Sequence, residues 1–385
     1  MNPTPASHDP ARSRPLPILR AMIDALDHDI LQLFARRNAL IGEIALYKRE
    51  HHLPIRDFAR EREIIQDRRE RGETLGLNPD LMESLYRLVM WGSRDRQAAL
   101  RAEVPLEVEP RTVAIIGGLG AMGRCLAKLF GDLGHAVMIA DVDTALRPTQ
   151  AAALADVVVL SVPIDATESV IREIGPQVRP DALLMDVTSV KTGPLAAMLG
   201  SSRGSVVGTH PLFGPTVHSL QGQRVVLTPG RGDEWLTWLK TMLHARGLEI
   251  VEATADEHDR VMSVVQVLTH FTTEVMGRTL AALGVPLEQT LRYTSPIYLM
   301  DLLLTARHFA QSPDLYASIQ MLNPQTPVVT EAFVRAAEEI RGFTAGPDHA
   351  AFQALFADVR RYFGDFTAQA LAQSDFLIDR LVERT

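Results

Sequence analysis

At 385 residues the chain is too long for one ordinary core, and two or three domains are expected. Its 46% hydrophobic and 22% charged residues fit a globular protein and exclude a disordered one. The formal net charge of −8 argues against nucleic acid as the main partner, and it is uneven: residues 1–101 carry 17 Lys+Arg against 15 Asp+Glu, the remainder 22 against 32.

The single cysteine, Cys125, can form no internal disulfide, which fits a reducing cytoplasm. No apolar run approaches the roughly 20 residues that span a bilayer, so no membrane association is expected. Residues 1–15 lack the apolar segment of a signal peptide and read as a flexible tail.

Residues 16 to about 50 form one helical pattern. Ile23, Ile30 and Ile44 recur at sevens, with Leu26, Leu33, Leu40 and Tyr47 as a second seam. Arg37 falls on the first seam, and Lys48, eleven residues on, lies about 20° from it on the helical wheel. Two cations thus share the expected buried side, where an anion would have to meet them. A snorkelling pair in a coiled coil is the plainer alternative. A second helix is predicted from near Asp57, whose side chain can cap it, with Arg60 and Glu61 in its first turn. Gly72 to Pro79 reads as a turn, and a third helix runs from Asp80 to about Leu100, with Ser93 and Gln97 one turn apart. Three such helices make little core alone, so a homodimer is expected.

This layout resembles the all-helical chorismate mutase domain of enteric bacteria. Arg20, Arg37, Lys48, Asp57, Arg60, Glu61, Ser93 and Gln97 match that family's polar positions in one ungapped register. The resemblance implies a site for chorismate, which rearranges pericyclically to prephenate without nucleophile or proton shuttle. Arg37 and a partner chain's Arg20 would hold carboxylates, and Lys48 and Gln97 would face the ether oxygen. Glu61 and the Asp57 region would bind the ring hydroxyl, with Arg60 and Ser93 completing the cage.

Residues 102–110 read as a linker into a buried strand, Thr112 to Ile116. Gly118, Gly120 and Gly123 follow, spaced G-x-G-x-x-G, and then Leu126, Leu129 and Phe130 at helical spacing. The first glycine should permit the tight turn, the second close approach of a pyrophosphate, and the third close helix–strand packing. Met122 sits in the same phosphate-binding turn. A second strand, His135 to Ala140, ends at Asp141, where a carboxylate would meet the ribose 2′-hydroxyl of NAD and repel a 2′-phosphate. Further strands are expected at 156–162, 183–187 and 206–209, with a brief crossover helix at 170–178. Their carboxyl ends place Ser189, Lys191 and His210 at the cofactor edge. A His before Pro at a strand end can equally be structural. Residues 111–254 are therefore read as a Rossmann domain and 255–385 as an all-helical dimerisation and substrate domain. In the latter, Asp256, Glu257 and His258 open a helix carrying His270, and Ser295-Pro296 starts one containing Arg307.

GGLGAMG, DVTSVK, GTHPLFGP, EHD, TSPIY and ARHFAQ resemble, in order, the signatures of the prephenate dehydrogenase family. Behind an N-terminal mutase, the combination is similar to the bifunctional T-protein family of tyrosine biosynthesis. The resemblance implies NAD-dependent oxidative decarboxylation of prephenate. His210 would accept a hydrogen bond from the ring 4-hydroxyl, Ser189 would touch that hydroxyl, and Arg307 would bind the ring carboxylate. No metal is implied. Thr216 and Leu299 depart from the relatives, where an acid and an arginine often stand. Three alternatives stay open: arogenate as substrate, another NAD-dependent dehydrogenase, and a redox-sensing module with merely dimerising N-terminal helices. The β-hydroxyacid dehydrogenases rely on a lysine in the helical domain, and no lysine follows Lys240.

Overall fold

The computed structural model describes residues 14–51, 53–100, 109–217, 219–346 and 348–382. The tail before residue 14 and most of the 102–110 linker lie outside them. Three helices open the fold: α1 (Leu16–Glu50), α2 (Phe58–Thr74) and α3 (Pro79–Ala99). Asp57 caps α2 by accepting from the Arg60 N–H at 3.0 Å, as its position before the helix suggested. Asn78 caps α3 through the N–H groups of Asp80 and Leu81, with Pro79 at the first helical position.

One expectation needs correction here. The turn begins later than Gly72, because α2 runs through to Thr74 and the chain reverses at Gly76, whose φ is +72°. The heptad seam of α1 is not covered within the chain: Ile30 is 49% and Leu33 60% exposed. Its buried residues are Ile41 and Ala45 instead. At about 1.5 Å per residue α1 is about 50 Å long, far longer than the 21-residue α3 it packs on, so one chain cannot cover it.

A seven-stranded sheet follows, with spatial order β2-β1-β3-β4-β5-β6-β7. Its elements are β1 (Thr112–Ile116), α4 (Ala121–Asp132), β2 (Ala136–Ala140), α5 (Pro148–Leu154), β3 (Val157–Leu160), α6 (Ile164–Ile174), β4 (Leu183–Asp186), α7 (Thr192–Ser201), β5 (Ser205–Pro211), β6 (Arg224–Arg231), α8 (Asp233–Ala245) and β7 (Glu249–Glu252). The strands from β1 to β5 run parallel, and β6 turns antiparallel to β5. Alternate residues serve opposite faces. Val113, Ile115, Val157 and Val159 pack on Leu126, Phe130 and Leu239, while Ala114, Ile116, Val158 and Leu160 pack on Ala151, Ile171 and Met198. Helices therefore cover both sides, as the continuous apolar runs required.

The crossover helix begins earlier than expected, at Ile164, and ends before Pro176, which lacks the N–H to continue it. Strand β6 was hidden by Pro229, which pairs opposite Val207 beside a register irregularity between Val206 and Val207.

The remainder is helical: α9 (Ala255–Met262), a π-helical stretch (Ser263–Leu268), α10 (Thr269–Leu283), α11 (Leu287–Arg292), α12 (Pro296–Phe309), α13 (Pro313–Leu322), α14 (Thr326–Ala345), α15 (His349–Phe363) and α16 (Phe366–Val382). Ser295 caps α12 through the Tyr298 N–H. Helices α10, α11, α14 and α15 bury no described residue, although Val334, Phe356 and Phe363 are among their apolar side chains. Such helices gain little from packing within one chain. Among the described residues, no helix is long and apolar enough to cross a membrane.

Candidate functional site

The chain order of the sheet changes direction at β1, which has β2 on one side and β3 on the other. A crevice at that point, outside the carboxyl ends of the strands, suits a dinucleotide. The tight turn there rests on Gly117, one residue before the glycine to which the spacing assigned it. Gly117 has φ +80°, and a Cβ on it would stand 2.4 Å from the Ser161 carbonyl oxygen. Gly123 has the role expected of it: a Cβ would lie 2.5 Å from the Gly117 oxygen and 2.7 Å from the Gly118 Cα. Gly120 caps α4 with no side chain, so the helix offers its first N–H groups to an anion. Met122 is half-buried in that first turn. Asp141 follows β2 and accepts the Leu119 N–H at 3.0 Å, which holds its carboxylate against the mouth of the turn.

The ends of β4 and β5 build a second, buried centre. Lys191 and Asp186 are both fully buried and paired, and Lys191 also reaches the Thr188 hydroxyl at 3.1 Å. Burial lowers the Lys191 pKa, against the opposing pull of Asp186. His210, the next-to-last residue of β5, is buried, with its Nδ1 2.8 Å from His258 Nε2 on α9. His258 Nδ1 lies 2.7 Å from Asp259 Oδ1. Asp259 accepts three more bonds: the Lys191 N–H at 2.8 Å, the Thr192 N–H at 3.0 Å and the Thr192 hydroxyl at 2.7 Å. Burial alone would raise its pKa, yet the bonds from His258, Thr192 and Lys191 bring it down to about 2. The His210 pKa lies well below the ordinary 6.5, first by burial and then by His258 and Lys191, with Asp259 opposing. His210 is thus a neutral imidazole. Its Nε2 accepts the Gln266 amide at 3.3 Å, from the π-helical stretch.

Ser189 is half-buried three residues past the end of β4. Arg307 lies exposed in the last turn of α12 and shares no hydrogen bond with His210 in one chain. Its charge acts on Tyr316, whose pKa burial raises and Arg307 partly restores. Beside it, Glu274 accepts from His308 at 3.0 Å and Gln320 at 2.7 Å, and His270 packs edge-on against Tyr316. Thr216, on the loop after β5, lines a cavity of about 740 Å³ between α3 and α4, with Asp95, Arg124 and Arg246.

A third centre lies among the N-terminal helices. Arg37 donates to the Ser93 hydroxyl, which joins α1 to α3. The Gln97 amide donates to the Ser93 carbonyl at 3.2 Å, and its oxygen is buried with no partner among the described residues. Lys48 donates to the carbonyls of Pro54 at 2.9 Å and Ile55 at 2.6 Å, in the connection before α2. Burial lowers the pKa of both Arg37 and Lys48; Asp57 and Glu61 oppose this at Lys48. Glu61 is held by Arg94 and, at 3.4 Å, by Arg56. Asp57 and Arg60 are exposed at the start of α2, and Arg60 pairs with Glu63 at 3.0 Å. Arg20 is not brought there by its own chain. Seventeen residues separate it from Arg37, or about 25 Å of helix.

Sequence reasoning missed Arg56 and Arg94, which fix Glu61, and Gln266. It quoted EHD without giving His258 or Asp259 a role. A His-Asp pair opening a helix beyond the sheet was the signal available for those two.

Three family models match the chain. "Chorismate mutase type II" covers residues 19–98, "Prephenate dehydrogenase, nucleotide-binding domain" 131–252, and "Prephenate dehydrogenase, dimerization domain" 254–358. The T-protein of Enterobacter agglomerans is 36% identical over 94% of this chain and 97% of that protein. The T-protein of Haemophilus influenzae is 35% identical over 94% of this chain and 96% of that protein. A crystal structure of Aquifex aeolicus prephenate dehydrogenase with hydroxyphenyl propionate and NAD⁺ superposes with TM-score 0.55 at 19% identity. It covers 66% of this chain and 98% of that one, and at that identity the likeness is one of fold.

Proposed function

The chain belongs to the T-protein family, and on that premise we propose how its residues carry the two activities of that family. It is a bifunctional enzyme of tyrosine biosynthesis that rearranges chorismate to prephenate and then oxidatively decarboxylates prephenate to 4-hydroxyphenylpyruvate with NAD. Two polar centres far apart in the sequence support this, Arg37–Ser93–Gln97 among the N-terminal helices and His210–His258–Asp259 between β5 and α9.

In the N-terminal centre, catalysis is a matter of holding a flexible dianion folded and stabilising charge on the breaking ether oxygen. Arg37 and the partner's Arg20 hold the carboxylates. Lys48 and the second N–H of Gln97 face the ether oxygen. Glu61 and the Asp57 region bind the ring hydroxyl, with Arg60 and Ser93 around them. Arg56 and Arg94 keep Glu61 in place.

In the C-terminal half, Gly117–Gly123 and the α4 N-terminus fit a pyrophosphate, and Asp141 fits a ribose hydroxyl, so NAD is the cofactor. Bound NAD supplies the hydride acceptor. Neutral His210 takes the 4-hydroxyl proton at Nε2 as C4 is oxidised. The ring carboxylate leaves as CO₂, the ring becomes aromatic, and the proton returns to the phenolate oxygen. Ser189 orients the hydroxyl and Arg307 the ring carboxylate.

Residues 16–101, 111–254 and 255–385 are read as the mutase, nucleotide-binding and dimerisation domains. The homodimer would cover the open face of α1 and the helices α10, α11, α14 and α15, and it would work in the cytoplasm. NADH formation from chorismate as the sole organic substrate tests the whole reading.

A further inference from the structure

We infer that His258 and Asp259 are positioning residues of the dehydrogenase, which fix the ring proton of His210 on Nδ1 and leave Nε2 as a bare acceptor. The inference rests on the assignment of His210 as the group that takes the 4-hydroxyl proton.

The polarity follows from counting donors along the chain of contacts. Asp259 already accepts from the N–H groups of Lys191 and Thr192 and from the Thr192 hydroxyl. These bonds, with the one to His258, hold the Asp259 pKa down to about 2, so Asp259 is ionised and purely an acceptor. The His258 nitrogen at 2.7 Å from it, Nδ1, must therefore carry a hydrogen. A neutral imidazole has one N–H, which leaves His258 Nε2 as an acceptor. His210 Nδ1, 2.8 Å away, must then be the donor. Neutral His210 has spent its one hydrogen, and Nε2 keeps a lone pair. The Gln266 amide aimed at Nε2 from 3.3 Å agrees with that polarity.

The opposite polarity would require a second buried cation, an imidazolium at His258, close to fully buried Lys191. The charged and titratable groups facing His210 are His258 and Asp259 on α9 and Lys191 after β4, with Asp186 behind Lys191. Only Asp186 and Asp259 are anionic, and Lys191 already occupies the first. The single-cation arrangement leaves each of these groups with a partner. The π-helical stretch right after α9 sets Gln266 over His210.

Two substitutions at one position separate this role from mere packing. His258→Leu removes both polar atoms. His258→Gln keeps an N–H for Asp259 and a carbonyl for the His210 Nδ1 hydrogen. With His258→Leu, kcat for prephenate oxidation should fall about 10²-fold, with the prephenate KM and the mutase rate within about threefold of the parent. His258→Gln should recover activity to within about tenfold of the parent. Equal loss in both variants, or no loss in His258→Leu, overturns the inference. If His258→Leu does not fold, the ¹⁵N spectrum of the unaltered protein decides, the His210 signals being identified by their disappearance in His210→Asn. A protonated Nδ1 and a pyridine-type Nε2 are expected, and the reverse refutes the inference. Full turnover in His210→Asn would instead remove the underlying assignment of the base, a separate result.

Discussion

Asp141 accepts the Leu119 N–H at 3.0 Å across the glycine turn, which ties the end of β2 to the turn after β1. The other carboxylate oxygen takes the N–H of Val142 at 2.8 Å. Each oxygen keeps a lone pair for a ribose hydroxyl, and together they place a full negative charge where a 2′-phosphate would sit. Asp141→Ser should therefore raise the NAD KM about tenfold and narrow the preference for NAD over NADP. Initial rates with both cofactors check this. An unchanged preference would move cofactor discrimination elsewhere.

Arg307→Ala should act on substrate rather than cofactor. Loss of a charge-assisted bond to a carboxylate in a cleft is expected to raise the prephenate KM about tenfold or more, with a smaller change in NAD affinity. A fixed prephenate KM with weakened NAD binding would reassign Arg307 to the cofactor.

The pH dependence of the dehydrogenase follows from His210. Its pKa lies well below 6.5, with burial the largest cause. With neutral His210 as the proposed base, the acid limb of kcat/KM should lie below about pH 6.5. The sign for stability is the same. The unfolded chain binds the proton more readily, so the stability His210 contributes is complete above about 6.5 and drains as pH falls toward the folded value. Rate and urea-midpoint profiles from about pH 5 to 8 measure both. An acid limb above 7 would mean that another group titrates.

Arg20 tests the dimer. If it serves a site whose Arg37 and Lys48 belong to the other chain, Arg20→Ala and Lys48→Ala homodimers both lose mutase activity. Mixed by unfolding and refolding, half of the dimers are hybrids, in which one site carries both lesions and the other none. Roughly a quarter of the parent mutase activity should return. Mixtures shown to contain hybrids that stay inactive would place Arg20 in its own chain's site.

The sheet was legible because β1, β3 and β4 are continuous apolar runs buried on both faces, and because glycine spacing reports backbone contacts directly. Pro229 disguised β6, since a proline ordinarily argues against an inner strand. The α1 seam was legible as apolar, and it stays exposed in a single chain, because periodicity tells which face is apolar and not which chain covers it. In the N-terminal centre, the resemblance supplied Glu61, but Arg56 and Arg94 carry no periodic signal and meet it only through the fold. His258 and Asp259 are adjacent in sequence and 48 or more residues from His210, so their bond to it follows from α9 packing beside β5 and β6.

In the proposed function, one chain holds two separate sites acting in series. Conversion of chorismate with NAD, followed by NADH absorbance and product analysis, tests it in three proteins. The parent should form NADH from chorismate alone. Lys48→Ala should form NADH at the parent rate from prephenate but hardly at all from chorismate. His210→Asn should consume chorismate at the parent rate and accumulate prephenate without NADH. NADH from chorismate in Lys48→Ala at the parent rate, or loss of both activities in either variant while it remains folded, would contradict two separable sites.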